Sequence, residues 1–256
     1  MGHVYFDLDT AVLDAAQSLC VALPAAGAPA LLLRLRGAGW ALVGPLAIVA
    51  TVVAITLASA SADVITWIAF ILIPIGSALA FGWAMHGARP WLAVLAVVLL
   101  AIAVAGPDDP AGRVARLALI MTSCATVGRL LAGATPLTLL KIGVVAMAVV
   151  DSVFIFGGFF HEQNAMFNAA APAEGLPRLQ VADVGHTSTD YGDFFIAGVV
   201  GAILAVERWP QLLAAALTFA AAELWNQLFL VTDSLPNTVP PAAVLVGFEL
   251  WSRRRR

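Results

Sequence analysis

The sequence predicts an all-α integral membrane protein: a single membrane domain over residues 1–256, folded as a polytopic bundle of about nine transmembrane helices. Three observations predict it. The chain is 61% hydrophobic and only 11% charged, where a soluble domain carries roughly 25% charged residues. Its mean hydropathy is +0.94. Its apolar residues come in long runs, most of them near the 17 to 25 residues that cross a hydrocarbon core. Short stretches of turn chemistry such as "RLRGAG", "HGARP" and "GPDDPAG" divide them.

In chain order the expected spans are residues 10–33, 40–60, 64–85, 90–105, 113–132, 136–160, 191–206, 210–231 and 239–251. The first contains Pro24 and Pro29, and the last is short and opens at a proline pair. Between the sixth and seventh spans lies a long connection, residues 161–190. Connections of that length are often functional. Within it "LQVADV" alternates apolar and polar residues, which fits either a short strand or an irregular loop.

Arginine outnumbers lysine twelve to one, and alanine is abundant, which suggests a high-GC bacterial genome. Basic residues collect on the cytoplasmic side of a membrane. With the N-terminus outside and the spans alternating, Arg34, Arg36, Arg89, Arg129, Lys141, Arg208 and Arg253 through Arg256 fall inside. Only Arg113, Arg116 and Arg178 fall outside, a division of ten against three. The expected placement is therefore the cell membrane, multi-pass, with the C-terminus cytoplasmic and the 161–190 connection external. "MGHVYFDLDT" lacks a basic leader region, so the first segment reads as retained rather than cleaved. Cys20 and Cys124 both sit in apolar runs and read as buried small hydrophobes. No zinc spacing is present, since "HEQNA" at His161 lacks a second histidine. Neither a metal nor a cofactor is expected, and nothing suggests nucleic acid as a partner.

Ionisable groups inside a span mark candidate sites. Lys141 lies near a span end and reads as an anchor. Glu223, with Asn226 one turn on, fits a cavity lining or an interhelical hydrogen bond. Asp151 lies in "MAVVDSVFIFGGFF", about 13 Å below the external end of the sixth span at 1.5 Å per residue. Asp193 follows Gly192 at the start of "GDFFIAGVVGAILAVE" in the seventh span. Both aspartates are thus expected in the external halves of consecutive helices. Gly157, Gly158, Gly198 and Gly201 are expected to let those helices approach. Two carboxyls in one low-dielectric site share a proton. One then serves as base toward water while its partner donates to a carbonyl oxygen, which is aspartic-protease chemistry.

These segments resemble the presenilin and signal peptide peptidase family of intramembrane aspartyl proteases, and the signal peptide peptidase branch in particular. "VVDSVFIFG" is similar to that family's aspartate motif in its sixth span. "YGDFF" is similar to its Gly-x-Gly-Asp in the seventh, and "PPAAVL" to its Pro-Ala-Leu in the ninth. This chain has Val150 for the motif's tyrosine, Asp190 for its first glycine, and Pro241-Ala242-Ala243 for Pro-Ala-Leu. The likeness covers residues 141–251. It implies Asp151 and Asp193 as the catalytic pair, transmembrane peptides as substrates and lipid as the surroundings. Gly192, Pro240, Pro241 and Ala242 are the implied supporting residues, with the proline carbonyls left free to hold an unwound substrate. Val181, in "RLQVADV", is expected on a strand edge that pairs with that substrate. Two other classes compete: a prepilin peptidase-like aspartyl protease, and a carrier or non-catalytic membrane protein that retains the aspartates. A protease needs the carboxyls together and open to water, whereas a carrier places its acid beside a broken helix near the midplane.

Overall fold

The computed structural model describes residues 6–27, 30–58, 60–158, 161–232 and 234–254. Pro29, the expected end of the sixth span at 159–160, and Arg255 and Arg256 lie outside the described residues.

Helices dominate. Those five that are long and apolar enough to cross a membrane run over Ala38–Leu57, Ala60–Ala84, Pro110–Ala134, Leu137–Phe156 and Gln211–Leu230. The expected nine segments have helical counterparts among the described residues, named here in order. They are α1 (Leu8–Ala22), followed by the one-turn α2 (Ala30–Arg34), then α3 (Val43–Leu57) and α4 (Ala60–Leu79). Next come α5 (Val94–Ala105), α6 (Pro110–Ala134), α7 (Leu137–Phe156) and α8 (His161–Ala169). After strands β1 (Val181–Val184) and β2 (Thr187–Asp190) follow α9 (Tyr191–Glu207), α10 (Gln211–Trp225) and α11 (Val239–Arg254).

The first segment is not one helix, as the sequence had suggested. α1 begins at an Asp7 cap, whose carboxylate accepts the Thr10 N–H at 3.0 Å. It stops at Ala22: Leu23 keeps helical geometry at φ −75° and ψ −46°, but Pro24 has no N–H to continue the ladder. Buried backbone groups freed at such a break need partners, and the fold provides them. Gln211 donates to the carbonyls of Pro24, Val21 and Gly201 at 2.9, 3.2 and 3.1 Å. Arg129 donates to Gly27 and Ala26 and stacks over Trp83 at 4.0 Å.

α9 is the axis of the bundle. It is buried from Ile196 through Ala205 and packs on α6, α1, α7 and α11. Its glycines make that approach possible, but not toward α7 as expected. A Cβ on Gly198 would lie 2.5 Å from the Cys124 carbonyl of α6, and one on Gly201 would lie 2.3 Å from the Val21 carbonyl of α1. Gly158 adopts φ 71° past the end of α7 and touches nothing. Small-residue contact therefore joins α9 to α6 and α1.

The 161–190 connection is structured. "LQVADV" supplies β1, which pairs antiparallel with β2 in the register Val181↔Asp190 to Val184↔Thr187. Gly185, at φ 55°, turns the hairpin. α8 falls where the sequence suggested only loop. Its last carbonyls are met by Arg178, at 2.7 Å from Asn168, and by Gln180, at 2.7 Å from Ala170. The hairpin is fastened to α6 through Arg116 and Asp183 at 2.9 Å, and to the start of α1 through His186 and Asp9 at 2.9 Å.

Candidate functional site

Asp151 and Asp193 lie within electrostatic reach of each other at the hairpin end of the bundle. Asp151 projects from the last turns of α7 and is 8% exposed. α7 ends at Phe156, so Asp151 lies about 8 Å from that end at 1.5 Å per residue, shallower than expected. Asp193 is the third residue of α9 and half-buried. Its carboxyl lies within electrostatic reach of Asp151, Asp190 and Asp14. An acid in the first turn also meets the positive end of the helix dipole.

Three other helices complete the site. Thr238, just ahead of α11, donates its hydroxyl to Asp151 Oδ2 at 2.6 Å. From α1, Gln17 Nε2 donates to the carbonyl of Asp193 at 2.9 Å and to that of Asn237 at 2.8 Å. A single buried amide thus ties the start of α9 to the start of α11. About one turn nearer the start of α1, Asp14 Oδ2 accepts from Asn226 Nδ2 at 2.6 Å. Glu223, one turn from Asn226, acts electrostatically on Asp14 and leaves Oε1 enclosed without a partner.

The supporting residues divide. Gly192 does face α7: a Cβ there would meet Met147 Cε at 3.8 Å, an ordinary contact. Pro240, Pro241 and Ala242 are buried in the first turn of α11, next to Thr238. They do not present free carbonyls, as had been expected. A first-turn proline lacks an N–H that is unneeded there. The acceptor that Pro241 would otherwise engage, the Asn237 carbonyl, is held by Gln17. Val181 is fully buried, and its strand packs on α1 and α6. The exposed strand of the hairpin is β2, where Ser188 faces outward.

Electrostatics at the site's outer rim is uneven. Asp190, which caps α9, is half-buried, and its Oδ1 is enclosed without a hydrogen-bond partner. Burial first, then the neighbouring charges of Asp151 and Asp183, push its carboxyl up to about 7. Asp7, at the start of α1, is held below the ordinary carboxylate range by the Thr10 hydroxyl and N–H. Asp7, Asp9 and His186 bring ligand-type atoms within 4.8 Å of one another, a grouping suited to a cation. They are engaged with each other as the clasp between α1 and the hairpin.

Sequence reasoning missed Thr238, Gln17, Asp14 and Asp190 as parts of the site. One signal was available: Thr10, Asp14, Gln17 and Ser18 form a polar stripe at helical spacing within an apolar segment, and all four are buried. No family model, curated protein or solved structure matches this chain.

Proposed function

We propose that the chain is an intramembrane aspartyl protease that cleaves transmembrane helices, of the signal-peptide or membrane-anchor type, with Asp151 and Asp193 as the catalytic pair. The observation that carries this reading is the meeting of two carboxyls from α7 and α9 in one half-enclosed place. Thr238 and Gln17 fix that place from two further helices.

In this reading the pair holds one proton. The ionised carboxyl takes a proton from a water molecule as the water oxygen attacks the scissile carbonyl carbon. The protonated partner donates to the carbonyl oxygen, giving a neutral tetrahedral diol. Collapse of the diol breaks the C–N bond, and a proton passes to the departing amine. The pair is left singly protonated, ready for a second turnover. Thr238 donates to Asp151 Oδ2 and so holds that carboxyl in place.

Nine spans, an external N-terminus and hairpin, and a cytoplasmic C-terminus in a bacterial cell membrane complete the proposal. The arrangement of the broken segment favours it over a carrier. The break at Pro24 carries no carboxylate, and its carbonyls are taken by Gln211 and Arg129. The test is cleavage of a model transmembrane peptide by purified protein in detergent. Wild type is expected to cleave, and Asp151→Asn and Asp193→Ala are each expected to lose turnover while keeping their melting temperature. A single variant that cleaves at the wild-type rate sinks the two-carboxylate mechanism.

A further inference from the structure

We propose that Asp190 is a third acid of the site, a positioning residue whose charge keeps one proton on the Asp151–Asp193 pair into the alkaline range. The inference rests on the protease reading above and names what tunes it.

Asp190 ends β2 and is the N-cap of α9, with extended backbone at φ −78° and ψ 157°. An aspartate at an N-cap ordinarily turns its side chain onto the helix's first N–H groups. This one makes no such bond. Its Oδ1 is instead enclosed and unpartnered, and Asp193 follows it by three residues in the first turn of α9. The residue is fixed from both sides, by the ladder to Val181 and by the start of α9.

The groups that face it come from three elements. Asp151 faces it from α7, Asp193 from α9, and Asp183 from β1. Asp183 is itself paired with Arg116 of α6 and with Arg178. Asp14 of α1 faces Asp193 from behind. The charges acting on Asp190 are thus negative, and burial adds to them, so its carboxyl is raised to about 7. Carboxyls crowded in one poorly solvated place cannot all ionise cheaply, and a proton stays among them.

The sign of the effect follows. When Asp190 is ionised it raises the proton affinity of the pair. The pair then loses its last proton at a higher pH than it would alone. Asp190→Asn keeps the shape and removes the charge, so the alkaline limb of cleavage should fall by about one pH unit. Asp190→Glu should leave the limb near its wild-type position.

The experiment is an infrared titration of the protonated-carboxyl band in full-length protein in detergent, run beside the pH profile of peptide cleavage. The band of the pair is assigned by its loss in Asp151→Asn and Asp193→Asn. In Asp190→Asn that band should disappear at a pH lower by about one unit than in wild type. Asp190→Gly, which an N-cap position tolerates, should behave the same way and stands in if the Asn variant folds poorly. A pair band that titrates in both variants as in wild type overturns the proposal, as does an Asp190→Glu band shifted as far as the Asn one. The band needs no turnover. If it shifts as expected while wild type cleaves no peptide, the protonation role of Asp190 stands and the protease reading falls.

Discussion

Thr238 decides how Asp151 behaves. Its hydroxyl sits 2.6 Å from Oδ2 in a buried setting, where a hydrogen bond to an ionised group contributes about 1.5–3 kcal/mol. Thr238→Val keeps the volume and removes the donor. We expect kcat/KM on a transmembrane peptide to fall by roughly 10- to 100-fold, the rate equivalent of that energy. Thr238→Ser should retain most of it. If Val and Ser lose activity equally, the methyl packing matters and the hydroxyl does not. Gln17 is the other residue of this kind: it spends one nitrogen on two carbonyls, those of Asp193 and Asn237. Neither residue was visible as a partner in the sequence. Thr238 and Asp151 are 87 positions apart, and Gln17 and Asp193 are 176 apart.

Among the helices, α9 shows how small residues are allotted. Gly198 and Gly201 seat it against backbone carbonyls of α6 and α1, where a side chain would enter the neighbour's main chain. Without a hydrophobic driving force in lipid, such close contact and its dispersion energy hold helices together. Gly192 has no such constraint, because the nearest atom to a Cβ is a flexible Met147 methyl at 3.8 Å. Gly198→Val should therefore lower the melting temperature sharply, whereas Gly192→Ala should leave it nearly unchanged. Equal melting of the two variants would show that α6 and α9 are not in backbone contact. The hairpin ahead of α9 is similarly anchored. Buried Arg116 reaches Asp183, and the clasp of His186 on Asp9 holds its turn, so the hairpin positions Asp190 and Asp193 rather than hanging loose.

For the molecule as a whole, the apolar surface is the dominant feature. Leu46, Val53, Ile71, Val97, Val149 and Leu213 are all exposed, which suits a lipid surround and no aqueous one. The polar groups concentrate at two ends. At one are the four acids of the site; at the other, Lys141 joins Glu207 of α9 and Glu249 of α11 at 2.6 Å each. The proposed orientation puts the first end outside and the second in the cytoplasm. In intact cells, a membrane-impermeant thiol reagent should label Ser188→Cys directly and Arg253→Cys only after permeabilisation. Cys20 and Cys124 are buried and should stay silent. The reverse pattern would invert the topology and the side on which product is released.

The membrane class and the helical segments were legible in the sequence because each is a local property. Apolar run length reports a helix that can sit in lipid, and a carboxylate inside such a run stands out against it. The first segment misled, because apolar composition alone does not reveal that Pro24 ends α1 and that Gln211 and Arg129 supply the partners that make the break tolerable. Which glycine faces which helix was also beyond it, since a rotation of one residue, about 100°, changes the neighbour. The surroundings of the acids were decided by tertiary structure alone. Asp14 and Asp190 are far apart in the chain, and only where α1, β2, α7 and α9 converge do they both act on Asp193.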